Sequence, residues 1–164
     1  MKQIAEPARS IPVLAETEVL VVGSGPGGLA AAIAAAREGA RTILLDRFGC
    51  FGGLITQTGV ETIAWYRHEG TVDSEGIGIE FERRAAAMGA TAPESQSRSE
   101  ALDTELFKHV ADELVREAGV EPLLHCLAVQ PLVDDGLVTG VVTESKSGRQ
   151  AILARRVIDA TGDA

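Results

Sequence analysis

Two short runs dominated by apolar and β-branched residues begin the regular pattern of the chain. Glu18–Val22 and Ala40–Asp46 are typical of strands buried on both faces of a parallel sheet. Between them, the alanine-rich segment Gly27–Glu38 predicts a helix, and Gly39 stands where a helix C-terminal cap is expected. A strand, a glycine turn, a helix and a strand within about thirty residues predict one right-handed βαβ unit.

The next part of the chain alternates between irregular and periodic segments. Phe48–Gly78 is rich in glycine and lacks a clear period, so we expect a long loop, in which Trp65–His68 is either part of a substrate pocket or a packing anchor. Ile79–Met88 predicts a short helix, and Glu100–Ala118 predicts a longer amphipathic one. Val120–His125 is a third apolar run and predicts a third strand.

The last forty residues are rich in β-forming residues and contain two turns of the hairpin type. Leu127–Val133, Leu137–Glu144 and Gln150–Ala154 predict a three-stranded antiparallel meander. Val157–Ala160 predicts a fourth parallel strand that ends at Thr161-Gly162. The pattern as a whole predicts an α/β fold, in which helices flank a parallel sheet and the β-meander lies on one side.

The chain length of 164 residues and the mass of 17.2 kDa fit one domain. Pro7 and Pro12 disfavour regular structure near the N-terminus, so we assign residues 1–17 to a lead-in and residues 18–164 to the domain.

Composition excludes several classes of function and partner. Fifteen Lys and Arg against 24 Asp and Glu give a net charge of −9, which argues against binding to nucleic acid or to an anionic membrane surface. The sequence shows neither a signal peptide nor an apolar stretch long enough to span a membrane. Two cysteines are too few for a disulfide framework, so we expect a reduced, cytoplasmic setting.

The clearest chemical motif lies between the first strand and the first helix. Residues 23–28, with the sequence GSGPGG, fit the pattern G-x-G-x-x-G in the structural context that binds a dinucleotide. Gly23 permits the tight turn, Gly25 lets the backbone approach a pyrophosphate, and Gly28 lets the helix pack on the strand. The free N–H groups at the helix N-terminus then favour the anion.

An acidic residue stands at the end of the second predicted strand, where it can accept hydrogen bonds from an adenosine ribose. This residue is Asp46, 18 positions after Gly28. The neighbouring Arg47 suits a 2′-phosphate, but Asp46 would repel that phosphate, so NADP is disfavoured. The motif alone does not separate NAD from FAD, because both contain ADP.

Four segments taken together give the chain a family resemblance. Val19–Asp46, Gly49–Thr56, Glu144–Gln150 and Val157–Asp163 resemble the FAD-dependent oxidoreductases of the glutathione-reductase-type FAD-binding fold, which are related to fumarate-reductase-like flavoproteins. The resemblance covers nearly the whole chain. It implies a Rossmann-like FAD-binding domain, and FAD as the cofactor.

The resemblance also implies the residues that contact the cofactor. The loop would hold the pyrophosphate, and Asp46 would bind the ribose. The segment that runs toward the flavin, the strand that contacts adenine and the turn that crosses the cofactor would add further contacts. The residues so implied are Gly23, Ser24, Gly25, Pro26, Gly27, Gly28, Asp46, Arg47, Gly52, Gly53, Leu54, either Ala128 or Val129, Ala160, Thr161 and Gly162.

Members of this family continue past the segment that corresponds to Val157–Asp163 into a substrate domain, and then into a C-terminal segment that covers the flavin. We expect both to be absent from this chain, and a companion chain or an oligomer to supply the flavin and substrate site. The implied function is hydride transfer between an organic substrate and flavin N5. The alternatives are a non-catalytic nucleotide-binding fragment or subunit of a split flavoprotein and, with less support, an NAD-dependent dehydrogenase.

No catalytic residue and no metal site follow from the sequence. Cys50 lies beside the predicted cofactor, where a packing role is favoured over that of a reactive thiol. His125 and Cys126 are neighbours on a predicted strand, so their side chains should point to opposite faces and not share a metal.

Overall fold

The computed structural model describes the backbone of residues 2–62, 67–68, 71–72, 75–94 and 100–163, with side chains in 2–62, 75–94 and 100–163. The helices are α1 (Pro26–Arg37), α2 (Leu54–Thr58), α3 (Ile77–Ala87) and α4 (Thr104–Ala118). The strands are β1 (Val13–Val22), β2 (Thr42–Leu45), β3 (Arg67–His68), β4 (Thr71–Val72), β5 (Thr91–Pro93), β6 (Glu100–Leu102), β7 (Glu121–Leu123), β8 (Leu127–Asp134), β9 (Leu137–Ser145) and β10 (Gly148–Asp159).

One six-stranded sheet, in the order β7-β2-β1-β10-β9-β8, organises the described part of the fold. Strands β7, β2, β1 and β10 run parallel to one another. Strand β9 pairs antiparallel with β10, and β8 pairs antiparallel with β9. The α/β architecture, with a parallel sheet, flanking helices and an antiparallel meander, is therefore confirmed. Two short hairpins, β3-β4 and β5-β6, lie outside this sheet.

The last strand of the meander and the fourth parallel strand are one continuous strand. The sequence pattern predicted them as Gln150–Ala154 and Val157–Ala160, and this division is wrong, because β10 runs unbroken from Gly148 to Asp159. Its first half pairs antiparallel with β9, while β1 pairs with it in parallel from Ala151 to Asp159. The two arginines at the predicted break are exposed, so strand geometry accommodates them without a turn.

Apolar side chains cover both faces of the sheet. On one face, Val21 and Leu44 pack with helix residues that include Leu29, Phe107 and Leu114. On the other, residues of the parallel strands pack with Val141, Ile152 and Cys126 from the meander and its approach. The parallel strands are therefore covered on both faces, which explains why their sequence is apolar without alternation.

Several element boundaries differ from those predicted. Strand β1 begins at Val13 instead of Glu18, because its extension pairs with the start of β10. Helix α2 lies within the segment predicted as a loop. Helix α4 begins at Thr104 instead of Glu100, because Asp103 caps it by accepting hydrogen bonds from the N–H groups of Glu105 and Leu106 at 3.0 Å.

Two further expectations concern residues near the ends of the described segments. Strand β7 ends at Leu123, and His125 has a left-handed φ of 55°, so the expectation that His125 and Cys126 alternate on one strand is wrong. Trp65 and Tyr66 lie outside the described residues, and Arg67 and His68 are described by their backbone alone. No helix in the described part of the chain combines the length and apolar character that a membrane crossing needs.

Candidate functional site

A cleft of about 550 Å³ opens at the carboxyl ends of β1, β2 and β10. Ligands of open α/β sheets bind at this edge, where the strands end and the following loops begin. The cleft is lined by residues 23–27 of the motif GSGPGG, which we call the glycine loop (residues 23–28), by the ends of β2 and β10, by α2 and by the start of β8. The lining residues are Val22, Gly23, Ser24, Gly25, Pro26, Gly27, Leu45, Asp46, Arg47, Phe48, Gly53, Leu54, Gln57, Thr58, Cys126, Leu127, Ala128, Asp159, Ala160, Thr161, Gly162 and Asp163.

Two glycines of the loop expose their backbone to the cleft. A Cβ atom added at Gly25 or Gly27 would meet no other atom within 4 Å. Both residues line the cleft, so their α-carbons leave free the space that a side chain would otherwise occupy. Gly25 is also the N-cap of α1, and no side chain caps this helix end. Free N–H groups and the positive end of the helix dipole therefore face the cleft.

The other two glycines of the motif serve packing. A Cβ at Gly23 would lie 2.5 Å from the Ala160 carbonyl oxygen, and one at Gly28 would lie 1.8 Å from the Gly23 carbonyl oxygen. The Ala160 N–H in turn donates to the Val22 carbonyl at 2.8 Å. Gly23 and Gly28 thus allow β1, α1 and the end of β10 to meet at a spacing that only glycine permits.

Gly52 and Gly53, in the segment after β2, pack against the backbone of the glycine loop. The N–H of Gly52 donates to the Ser24 carbonyl at 2.9 Å, and a Cβ at Gly53 would lie 2.6 Å from the Gly25 α-carbon. Leu54 follows at the start of α2 and is 63% exposed on the rim of the cleft. This segment therefore acts on the loop through backbone contact.

Asp46 is buried at the base of the cleft, and its carboxylate accepts three hydrogen bonds. Oδ2 accepts from the Ser24 N–H at 2.6 Å and from the Ser24 hydroxyl at 2.5 Å. Oδ1 accepts from the Phe48 N–H at 2.8 Å. The backbone of Asp46 is fixed as well, because it bonds to the Leu123 carbonyl and to the Cys126 N–H.

Arg47 carries the only positive charge among the described residues that line the cleft. Its guanidinium lies 4.9 Å from the centre of the Phe48 ring and 3.3 Å from a carboxylate oxygen of Asp163. The ion pair between Arg47 and Asp163 links the segment after β2 to the segment after β10. The turn after β10 is itself ordered, because Asp159 accepts hydrogen bonds from the N–H and hydroxyl of Thr161.

Most of the residues implied by the family resemblance meet at this cleft, and three do not line it. Gly28 and Gly52 lie behind the lining, and Val129 is 40% exposed elsewhere on β8, whereas its neighbour Ala128 lines the cleft. Sequence reasoning did not single out Phe48, Gln57, Thr58, Leu127, Asp159 and Asp163, which also line it. The short helix α2 carries Gln57 and Thr58, and its five residues are too few to show a period.

Cys50 lies next to the cleft lining and is partly buried. The side-chain amide of Gln57 donates to its sulfur at 2.9 Å. In the described ranges, no group of three or more His, Cys, Asp and Glu side chains could hold a metal ion.

The fold and the cleft together define a class of protein. A parallel sheet with an open glycine loop, an uncapped helix N-terminus and a buried acid at the end of the second strand is the architecture of a dinucleotide-binding domain.

Comparison with known proteins narrows the class to a family. The family model described as FAD dependent oxidoreductase matches residues 18–164. The chain therefore belongs to the FAD-dependent oxidoreductases, and FAD is its cofactor.

Three relatives illustrate the range of the similarity. The chain is 32% identical over 151 residues to digeranylgeranylglycerophospholipid reductase 1 of Methanopyrus kandleri, covering 90% of this chain and 40% of that protein. It is 41% identical over 86 residues to sarcosine oxidase subunit alpha of a Corynebacterium species, covering 52% of this chain and 8% of that protein. The chain thus spans well under half the length of these curated relatives.

The third is a solved structure, an open conformation of a flavocytochrome c3 fumarate reductase. It superposes with a TM-score of 0.59 at 22% identity, covering 90% of this chain and 34% of that one. At this identity the similarity shows a shared fold.

Proposed function

We propose that this chain binds the ADP half of FAD in the cleft and forms the FAD-binding part of an oxidoreductase. One observation carries the proposal: the open backbone at Gly25 and Gly27 lies at an uncapped helix end, beside the buried carboxylate of Asp46. Backbone N–H groups at such an end suit a pyrophosphate, and a carboxylate suits the hydroxyls of a ribose.

The remaining contacts follow from where the lining residues lie. Thr161 and Gly162, in the turn after β10, would cross the cofactor, and Ala128 would approach the adenine through its backbone. Arg47 and Phe48 would flank the adenosine side of the cleft, because both follow Asp46 directly. The volume of the cleft lies within the usual range for sites of small ligands.

When bound, FAD would supply the redox chemistry, which we propose to be hydride transfer between an organic substrate and the flavin N5. The described residues would position the cofactor and shield its phosphates from water. We assign none of them to the chemical step.

A second candidate function is that of a non-catalytic nucleotide-binding subunit in a split flavoprotein. The match to a protein named as a sarcosine oxidase subunit favours it. A companion chain or a second copy would then complete the flavin and substrate site. The membership of the FAD-dependent oxidoreductases argues against the third hypothesis, an NAD-dependent dehydrogenase. The cytoplasmic location stays a prediction based on the cysteine count.

Titration of the purified chain with FAD, ADP and NAD by calorimetry, with absorbance of the flavin as a second readout, tests the main proposal. We expect FAD and ADP to bind, and NAD to bind more weakly than FAD. Binding of NAD without FAD would overturn the assignment of the cleft to a flavin cofactor. Binding of none of the three would overturn the proposal that this chain holds the cofactor.

Reduction of bound flavin separates the first two candidates. If an added organic substrate reduces the flavin on the isolated chain, the chain is catalytic. Flavin reduction that appears only when a co-purified companion chain is added supports the subunit candidate.

A further inference from the structure

The hydrogen bonds to Asp46 are unequally divided between its two carboxylate oxygens. Oδ2 accepts two hydrogen bonds, both from Ser24, whereas Oδ1 accepts one, from the Phe48 N–H. An ionised carboxylate offers about four lone-pair positions, two on each oxygen. Oδ2 is therefore saturated within the protein, and Oδ1 keeps one position for a ligand.

The Ser24 side chain has no freedom to leave this arrangement. Ser24 is completely buried, and its hydroxyl would lose its partner if it turned away from Asp46. A buried polar group without a partner is costly, so the hydroxyl stays on Oδ2. The main-chain bonds of Asp46 to Leu123 and Cys126 fix the backbone that carries the carboxylate.

An adenosine ribose presents two neighbouring hydroxyl groups, at its 2′ and 3′ positions. A carboxylate with a free position on each oxygen can accept a hydrogen bond from both. We propose that Ser24 restricts Asp46 to one ribose hydroxyl and is therefore a specificity-determining residue of this site. The inference rests on the proposed binding of ADP in the cleft. Ser24 would act through Asp46, as a positioning residue.

The first test compares ADP with 2′-deoxy-ADP and 3′-deoxy-ADP on the wild-type chain by calorimetry. We expect one deoxy analogue to bind at least about tenfold more weakly than ADP, because it loses a hydrogen bond to a charged group. The other analogue should bind within about twofold of ADP, since its missing hydroxyl has no position on Asp46.

The second test repeats the comparison on Ser24→Ala, which removes the hydroxyl from Oδ2. The position it vacates should become available to the ligand, so both deoxy analogues should now bind at least about tenfold more weakly than ADP. A loss of fold stability alone would weaken ADP and both analogues together, so the ratio between ligands isolates the positioning role.

Thr17→Val is the matched control. Thr17, on β1, is buried as Ser24 is. Its hydroxyl donates to the Arg41 carbonyl at 2.6 Å, and it does not line the cleft. Thr17→Val therefore removes a buried hydroxyl bond without touching Asp46. Its ligand ratios should match those of the wild type.

Failure of this inference is distinguishable from failure of the proposed function. If ADP binds and Asp46→Ala weakens it, but the wild type penalises both deoxy analogues equally, the role of Ser24 is overturned. The same conclusion follows if Ser24→Ala leaves the wild-type pattern unchanged. If ADP does not bind, or Asp46→Ala leaves its affinity unchanged, the proposed function fails and the inference fails with it.

Discussion

Gly53 and Gly25 are in backbone contact although 27 other residues separate them along the chain. A Cβ atom at Gly53 would lie 2.6 Å from the Gly25 α-carbon, and Gly53 has a positive φ of 56°. The segment after β2 therefore packs against the glycine loop, which we propose binds the cofactor. The position of the loop depends on this contact as well as on its own sequence.

Gly53→Ala should reduce both the stability of the chain and its affinity for FAD. Gly53 has φ 56° and ψ −125°, a conformation outside the left-handed helical region that costs a residue with a Cβ about 1–3 kcal/mol. The clash with Gly25 adds to this cost and displaces the loop, so we expect a total above about 2 kcal/mol. Chemical denaturation and FAD titration measure the two effects.

Gly59→Ala is the control for Gly53→Ala. Gly59 also has a positive φ, but its φ of 71° and ψ of 30° lie in the left-handed helical region, and a Cβ there would meet no other atom within 4 Å. The variant Gly59→Ala should lose about 1 kcal/mol of stability from backbone strain alone and keep the wild-type affinity for FAD. Equal loss of FAD affinity in both variants would show that the contact with Gly25 is irrelevant to binding.

Gly25→Val should abolish most FAD binding while leaving the chain folded. Gly25 has φ −62° and ψ 175°, a conformation that valine adopts readily before a proline, and the added side chain would extend into the cleft. Loss of one charge-assisted bond to the pyrophosphate predicts a ten- to hundredfold weaker affinity, roughly 1.5–3 kcal/mol. Calorimetry with FAD measures the affinity, and thermal unfolding checks the fold.

Gly78→Ala provides the comparison for Gly25→Val. Gly78 lies in α3, and a Cβ there would meet no other atom within 4 Å. Alanine in a helix should raise stability by up to about 1 kcal/mol and leave FAD affinity unchanged. Full FAD affinity in Gly25→Val would mean that the pyrophosphate does not approach this loop.

Asp46→Asn should weaken FAD binding and reduce the discrimination against NADP. The wild-type carboxylate would repel a 2′-phosphate, so NADP should bind more weakly than NAD. The amide carries no charge, so the gap between NAD and NADP should narrow, while FAD affinity falls about tenfold or more. Titrations of the wild type and of Asp46→Asn with FAD, NAD and NADP measure these affinities. They are carried out at a temperature at which unfolding curves show that both proteins are folded.

Asp46→Asn also has a predicted cost in stability. One oxygen is replaced by an NH₂ donor, which would then face the N–H of Phe48 or of Ser24. The unpaired donors should cost about 1–3 kcal/mol. An unchanged gap between NAD and NADP in a folded Asp46→Asn would contradict the placement of the ribose beside Asp46.

Glu80 and Glu82, two positions apart on α3, should respond to pH in opposite directions. Hydrogen bonds from Arg37, together with the charge of Arg84, hold the pKa of Glu80 below its ordinary value of 4.5. Burial raises the pKa of Glu82 above the same ordinary value. The pair therefore offers two matched variants on one helix.

Glu80→Gln should be less stable than the wild type at pH 7 by up to about 1 kcal/mol, the usual limit for ion pairs at a protein surface. The stability that Glu80 contributes is present above pH 4.5 and is lost as pH falls through its depressed pKa. The difference from the wild type should therefore vanish on acidification. Urea denaturation across the acid range measures it.

Glu82→Gln should show the opposite pattern. The wild type loses stability as pH rises from 4.5 through the raised pKa of Glu82, because a buried carboxyl must then ionise. Glutamine does not ionise, so the variant should gain stability over the wild type toward pH 7 and lose that advantage near pH 4. Identical pH profiles for Glu80→Gln and Glu82→Gln would contradict at least one of the two assignments.

Local sequence signals predicted much of the fold. The glycine motif, Gly27–Glu38 and the two apolar strands around them correspond to β1, α1 and β2, since each pattern reflects a local backbone preference or burial on both faces. Their boundaries were less predictable. Asp103 caps α4, and this local signal would have separated β6 from the helix.

The path of β10 could not be predicted from local pattern. The segment 148–159 contains the adjacent arginines Arg155 and Arg156 and so resembles two strands with a break. Its continuity depends on β1, which pairs with it from Ala151 to Asp159 and so across both arginines. Pairing between strands distant in sequence determines such a path, and local composition carries little information about it.

The sequence by itself determined the dinucleotide motif, the acid at the end of the second strand and the α/β class, because each depends on residue types at short spacing. Only the tertiary structure decided that Gly53 rests against Gly25, that Ser24 occupies one oxygen of Asp46, and that Gly28 and Gly52 lie behind the cleft. These relationships depend on distances between segments that the fold brings together. Distances of this kind arise from close packing of the whole domain, which no single stretch of sequence encodes.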